Sequence, residues 1–177
     1  MALGRFESIF RRVKTMSELS DSIREFLNGR HYATLATLNE DGSIHLTPVW
    51  YLFEGYCFFV STAASDRKVR NILARPQASL VVDSRRKQGS EMWVSASGTA
   101  EIIRERSKEI STKIQQRYLT KAALEDPSVG PVLAAAGEVI INLTPHSWRS
   151  WELKSLDDQY FGGILGQTPE KWFHPVD

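Results

Sequence analysis

The chain has 177 residues, 42% of them hydrophobic, with 22 basic against 21 acidic side chains and a net charge of +1. That size and apolar content suit a single domain with its own core, and the neutral balance argues against a broad nucleic-acid-binding face. No apolar stretch is long enough to span a bilayer and no signal peptide is evident, so the expectation is a cytoplasmic protein without membrane or nucleic-acid partners.

Residues 1–16 read as an N-terminal extension. Phe6, Ile9, Phe10 and Val13 fall at helical spacing among Arg5, Arg11, Arg12 and Lys14, a pattern for packing on the body or on a second subunit, or for a membrane surface. Residues 17–154 read as the main domain. They open with a helix over 17–28, N-capped by Ser17 and stopped at Gly29, with Leu19, Ile23, Phe26 and Leu27 on one face.

The period then changes. Strands are predicted at 32–38, 44–53 and 56–62, separated by the turn cluster Asn39–Gly42 and by Glu54-Gly55, which together read as an antiparallel meander. The lone Cys57 lies in the apolar run of the third strand and reads as a buried thiol suited to a reducing compartment. A helix over 65–75 ends before Pro76, and strands follow at 78–83 and 92–103, flanking the polar loop 84–90. A helix over about 105–123, a short helical turn at 132–137 and two closing strands, 138–145 and 147–153, complete the domain. Residues 155–177 form a C-terminal tail rich in Gly, Pro and aromatics, with no evident period. The fold class is mainly β with α+β character: a six- to seven-stranded antiparallel β-barrel with flanking helices.

One stretch carries chemistry. After the strand ending at Ser61 and Thr62, Ala63 and Ala64 lead into Ser65 as N-cap, and Asp66, Arg67 and Lys68 open the next helix. Cations in a first turn oppose the helix dipole unless an anion sits between them, and free first-turn amides favour an anion there. Asp66 could supply that negative charge, but one carboxylate does not balance Arg67, Lys68 and Arg70. With the hydroxyls of Ser61 and Thr62, and Asn71 one turn on, the cluster fits a bound phosphate. Pro48 marks an edge or a bulge in its strand, where free backbone groups can meet the polar rim of a flat heterocycle. Trp50, Trp93, Trp148 and Trp151 are candidates for ring packing or for core. Gly98 permits a close backbone approach or bends its strand.

The run ATLATLNEDGSIHLTPVWY, then FFVSTAASDRKVRNI, then VSASGTAEI before a long helix resembles the pyridoxamine 5'-phosphate oxidase-like superfamily of FMN-binding split barrels, over about residues 17–152. The resemblance implies FMN at a homodimer interface, with Ser61, Thr62, Arg67 and Lys68 on the phosphate, supported by Asn71. It also implies that the backbone of Pro48, Val49 and Trp50 meets the ring and that Trp151 of a partner subunit covers it, with Trp93 among the cofactor-binding candidates. Where the oxidase carries an Arg-Gln pair, this chain has Met92 and Trp93, and its C-terminal substrate-phosphate pattern is absent, so pyridoxamine phosphate is not the expected substrate. None of His31, His45, His146 and His174 falls in the motif of the haem-degrading members, and no metal site is expected.

The function expected is that of a flavin-dependent oxidoreductase passing hydride or electrons through FMN to a small-molecule substrate. Tyr51 and His45 are possible proton donors near the ring, with an ordinary strand role as the alternative. Three rivals remain: a reductase using the deazaflavin coenzyme, whose acidic tail Arg85, Arg86 and Lys87 would reach; a non-catalytic flavin-binding module; and a small β-barrel binding single-stranded nucleic acid by aromatic stacking, which the neutral charge disfavours.

Overall fold

The computed structural model describes residues 11–13, 19–84, 91–135 and 137–174. In chain order the elements are β1 (Arg11–Val13), α1 (Asp21–Asn28), β2 (Ala33–Leu38), β3 (Ile44–Val49), β4 (Leu52–Glu54) and β5 (Cys57–Thr62). Then come α2 (Arg67–Ala74), β6 (Gln77–Ser84), β7 (Met92–Ile103), α3 (Ser107–Tyr118), α4 (Lys121–Glu125), α5 (Gly130–Ala135), β8 (Val139–Glu152), α6 (Leu153–Tyr160), α7 (Ile164–Gln167) and α8 (Pro169–Trp172).

The strands form one antiparallel sheet in the order β3-β2-β6-β7-β8-β5-β4, with β1 added beside the end of β8. β3 and β4 therefore lie at opposite ends of this path, yet only Trp50 and Tyr51 separate them in sequence. Val49 and Leu52 are three residue steps apart, about 10 Å when extended, so the sheet must curl until its ends nearly meet, leaving a split between them. This corrects the expected meander. The segment 44–53 breaks at Trp50-Tyr51, and the hairpins β2–β3 and β4–β5 go to opposite ends of the sheet.

Alternation sets the inner face. Ala33, Leu35, Phe58, Val60, Leu80, Val82, Val94, Ala96 and Trp148 point inward and are almost fully buried. A second, smaller cluster forms outside the sheet, where Ile110 and Ile114 of α3 pack on Ile140 with Trp50, Leu52, Phe59 and Tyr118 around them.

Several expectations need correction. α1 starts later than the pattern suggests: Ser20 is its N-cap, accepting from the Ile23 amide, and Ser17 lies outside the described residues. Val13, placed in a helical stripe by its spacing, lies in β1; the rest of that stripe and the loop cations Arg85, Arg86 and Lys87 lie outside the described residues. The helix expected over 105–123 divides into α3 and α4 at Leu119-Thr120, where Thr120 caps the second piece. The tail is helical in α6, α7 and α8. Its organising group is the buried Asp157 carboxylate, which accepts the Leu165 and Gly166 amides at 3.0 and 2.7 Å. Cys57 is half-buried rather than buried, with its sulfur 3.7 Å from the Thr144 hydroxyl.

The two closing strands are one. β8 runs unbroken through Pro145 because proline needs only a missing partner on its amide side. β5 pairs β8 up to Leu143 and β1 pairs it from Trp148, so Pro145 falls in the gap between them. Across from it the β7 ladder shifts register between Ser97 and Gly98. A Cβ on Gly98 would stand 2.0 Å from the Thr144 carbonyl oxygen. Gly98 thus serves the close approach of two strands. Pro48 sits on an end strand opposite Thr34, without a bulge.

Candidate functional site

Strand β5 delivers Ser61 and Thr62 to the rim of the split, and the Ala63–Asp66 turn folds back so that α2 starts beside them. The N-cap of α2 is Asp66, one residue later than expected, so Arg67 and Lys68 are its first two helical residues. Asp66 makes no side-chain cap bond to its own helix. One of its carboxylate oxygens instead accepts from both the Thr62 hydroxyl and the Lys68 ammonium, the latter at 2.6 Å. Those two donors, the lysine first, hold the Asp66 carboxyl below the usual carboxylate range. The Lys68 side chain is only 13% exposed, so this cation is built into the corner rather than displayed to solvent.

The same corner gathers further polar groups. The Ser61 and Ser111 hydroxyls lie 2.6 Å apart, Ser111 also faces the Gly137 carbonyl at 3.4 Å, and the Ala64 amide donates to Glu138 at 2.7 Å. A Cβ on Gly137 would stand 2.3 Å from the Ser111 hydroxyl and 2.6 Å from that of Ser61, so these serines would have to shift to admit one.

The opposite wall is aromatic and apolar. Trp50, at the break between β3 and β4, stacks on Tyr118 of α3 with centroids 5.1 Å apart and planes within 3°. Tyr118 donates to the His31 carbonyl at 2.6 Å, and burial pushes its phenol upward. Gln115, one turn before the end of α3, donates to the Leu133 carbonyl at 2.6 Å and so ties α5 to the wall. Pro48, Val49, Trp50, Ser61, Thr62 and Lys68 line one cavity of about 310 Å³ between these walls. That volume is at the lower end of what a small-molecule site needs.

Six of the ten site residues expected from sequence thus share one cavity, and four do not. Arg67 is exposed and off the lining. Asn71 is buried and committed elsewhere: its side-chain amide donates to the Thr37 hydroxyl and to the Asn39 side-chain Oδ1, both at 3.0 Å, pinning α2 to the β2–β3 hairpin. Trp93 and Trp151 are register partners across β7 and β8, away from this lining within one chain. Arg70 is exposed, its guanidinium donating to the Ser65 carbonyl at 2.5 Å.

Neither proposed proton donor reaches the cavity lining. Tyr51 is fully buried, its hydroxyl donating to the Leu27 carbonyl at 2.9 Å, and burial raises its pKa strongly. His45 contacts the Thr47 hydroxyl of its own strand at 2.8 Å. Among the described residues there is no cluster of three metal-ligating side chains and no helix long and apolar enough to cross a membrane. Sequence reasoning missed Tyr32, Ile114, Gln115, Leu133 and Gly137, which complete the lining. They come from three separated segments, so no local spacing could have joined them.

A family model described as pyridoxamine 5'-phosphate oxidase matches residues 19–152. Among solved structures, a conserved hypothetical protein from Mycobacterium tuberculosis superposes with a TM-score of 0.63 at 25% identity, covering 78% of this chain and 88% of that one. An F420 reductase gives 0.58 at 23% identity, covering 73% and 98%. An FAD-binding protein from Mesorhizobium loti gives 0.55 at 16% identity, covering 80% and 98%. No curated protein matches the chain.

Proposed function

The chain belongs to the pyridoxamine 5'-phosphate oxidase family, and on that premise we propose that it is a flavin-dependent oxidoreductase that takes FMN in the cavity beside Lys68. The observation that carries this reading is the convergence of Ser61, Thr62 and Lys68 on a cavity that is also lined by Trp50, which Tyr118 backs by stacking on it. Hydroxyls and a nearly buried ammonium suit a phosphate, and flat apolar walls suit an aromatic ring system, so the residues present fit the group. FMN would supply hydride or electron transfer at its ring. The protein's part is positional: Lys68 and Thr62 fix the phosphate end, while Trp50, Ile114 and Leu133 exclude water from the ring end.

Homodimerisation is part of the proposal. By register, Ile44, Leu46 and Pro48 share one face of the sheet with Trp93 and Trp151. Ile44 and Leu46 are 66% and 61% exposed, and an apolar end strand left bare invites a second copy. A partner seated on this face would bring its own Trp151 toward the cavity mouth, in keeping with the role expected for that residue. The substrate is a small molecule of unassigned class, and the cell compartment proposed is the cytoplasm.

The F420 reductase among the neighbours favours a second reading on the same fold, with the deazaflavin coenzyme in place of FMN. The test is purification from a flavin-replete host followed by spectroscopy and titration. A yellow protein, or one that binds FMN tightly and is reduced and reoxidised through it, supports the first reading. Binding of the deazaflavin with no FMN binding supports the second. Retention of FMN without turnover against any reductant leaves a non-catalytic binding module, and binding of neither cofactor removes the proposal.

A further inference from the structure

The phosphate corner is not waiting with open donors. Thr62 and Lys68, which line the cavity, both direct their hydrogens at the same oxygen of Asp66, so a phosphoryl oxygen would have to compete with that carboxylate for the two donors. The neighbouring Ala64 amide is likewise engaged by Glu138. Asp66 also forgoes the usual work of an N-cap aspartate, which is to accept an amide of its own helix's first turn. Its carboxylate is turned instead to the lysine, whose side chain would otherwise hold an unpaired charge at 13% exposure.

Resting on the flavin-nucleotide reading above, we propose that Asp66 is an internal anion that occupies the phosphate corner in the free protein and determines which anions enter it. Ligand entry is then an exchange. Free inorganic phosphate gains at Lys68 only what it takes from Asp66, and so binds poorly. A phosphate carried on a ring that also fills the cavity brings the extra binding needed to displace the carboxylate. The displaced Asp66 has a destination, because a rotation of its side chain offers it the first-turn amides of α2 as an ordinary cap. Asp66 is therefore a specificity-determining residue, trading affinity for exclusion of small anions.

The test compares the wild type with Asp66→Asn, and with Asp66→Ser as a second variant that keeps a good N-cap residue. Inorganic phosphate, FMN and riboflavin are titrated separately, and phosphate is then run as a competitor against FMN. Removing the carboxylate is expected to make inorganic phosphate bind and compete at concentrations that leave the wild type unaffected. It should also tighten FMN by about tenfold, the lower range for one charge-assisted bond, with riboflavin unchanged. Variants that bind inorganic phosphate no better than the wild type, or worse, overturn the proposal and mark Asp66 as a support for Lys68. If no protein binds FMN or riboflavin, the flavin-nucleotide reading fails separately, and the phosphate titration still decides the role of Asp66.

Discussion

Replacing Lys68 with alanine probes the proposed cofactor site most directly. The side chain is 13% exposed and its nitrogen lies 2.6 Å from the Asp66 carboxylate, on the cavity lining. A charge-assisted hydrogen bond to a phosphate contributes about 1.5–3 kcal/mol; with about tenfold of that offset by the Asp66 pair that FMN must displace, Lys68→Ala should weaken FMN binding by up to about tenfold. The fold should tolerate the change. The lost ion pair has a partner that is 38% exposed, and pairs screened in that way contribute about 1 kcal/mol or less. Fluorescence titration of FMN and riboflavin against both proteins separates phosphate from ring: riboflavin affinity should move by less than about threefold, since the ring end is untouched. Equal FMN affinity in mutant and wild type would refute the phosphate assignment. Equal losses for both ligands would do so too, because the lysine would then be holding up the cavity rather than reading the phosphate.

Three further expectations follow from the geometry. Gly98→Ala would press a Cβ against the β8 backbone, 2.0 Å from the Thr144 oxygen and 2.7 Å from the Pro145 Cα, and should destabilise the fold by about 2–3 kcal/mol in urea unfolding; an unshifted midpoint contradicts the close approach. Asn71→Ala removes both hydrogen bonds that pin α2; it should lower stability by about 1–3 kcal/mol while FMN affinity stays nearly constant, and a loss of affinity with no loss of stability would return Asn71 to the site. The Asp66 carboxyl is held below its ordinary 3.8, so its ionisation stabilises the fold above about pH 4 and that contribution fades as pH falls through the lowered value. The stability gap between wild type and Asp66→Asn should therefore stay constant above about pH 5 and narrow progressively as the pH falls below about 4, and a gap that widens on acidification contradicts the ion pairing.

Much of this architecture was legible because it is local. Alternation in Ala33–Leu38, the proline after α2, and the hydroxyl-to-cation run from Ser61 to Lys68 each reflect short-range rules of strands, helix ends and anion sites. What stayed hidden depended on distant partners. Pro145 looked like a strand end, yet β8 continues because neither β5 nor β1 needs its amide. The strand 44–53 looked continuous, and only the pairing of β3 with β2 and of β4 with β5 shows that it must break at Trp50. The Asn71 position suggested a ligand contact one turn from Lys68, but burial against Thr37 and Asn39 decided otherwise. Asp66 was noticed for its sign, although its geometry, aimed at Lys68 rather than at its own helix, has no sequence signature.

Tyr56 turns the β4–β5 hairpin with Gly55, both at positive φ of 64° and 58°. An L-residue other than glycine rarely adopts that conformation, at a cost of about 1–3 kcal/mol. Arg24 of α1 lies over the ring, 4.9 Å from its centroid, and also donates to its hydroxyl. The first helix is therefore clamped to a bend that glycine would make more easily. That hairpin leads straight into Ser61 and Thr62, so undoing the clamp should be felt as looseness at the far end of β5, where the ligand would be gripped.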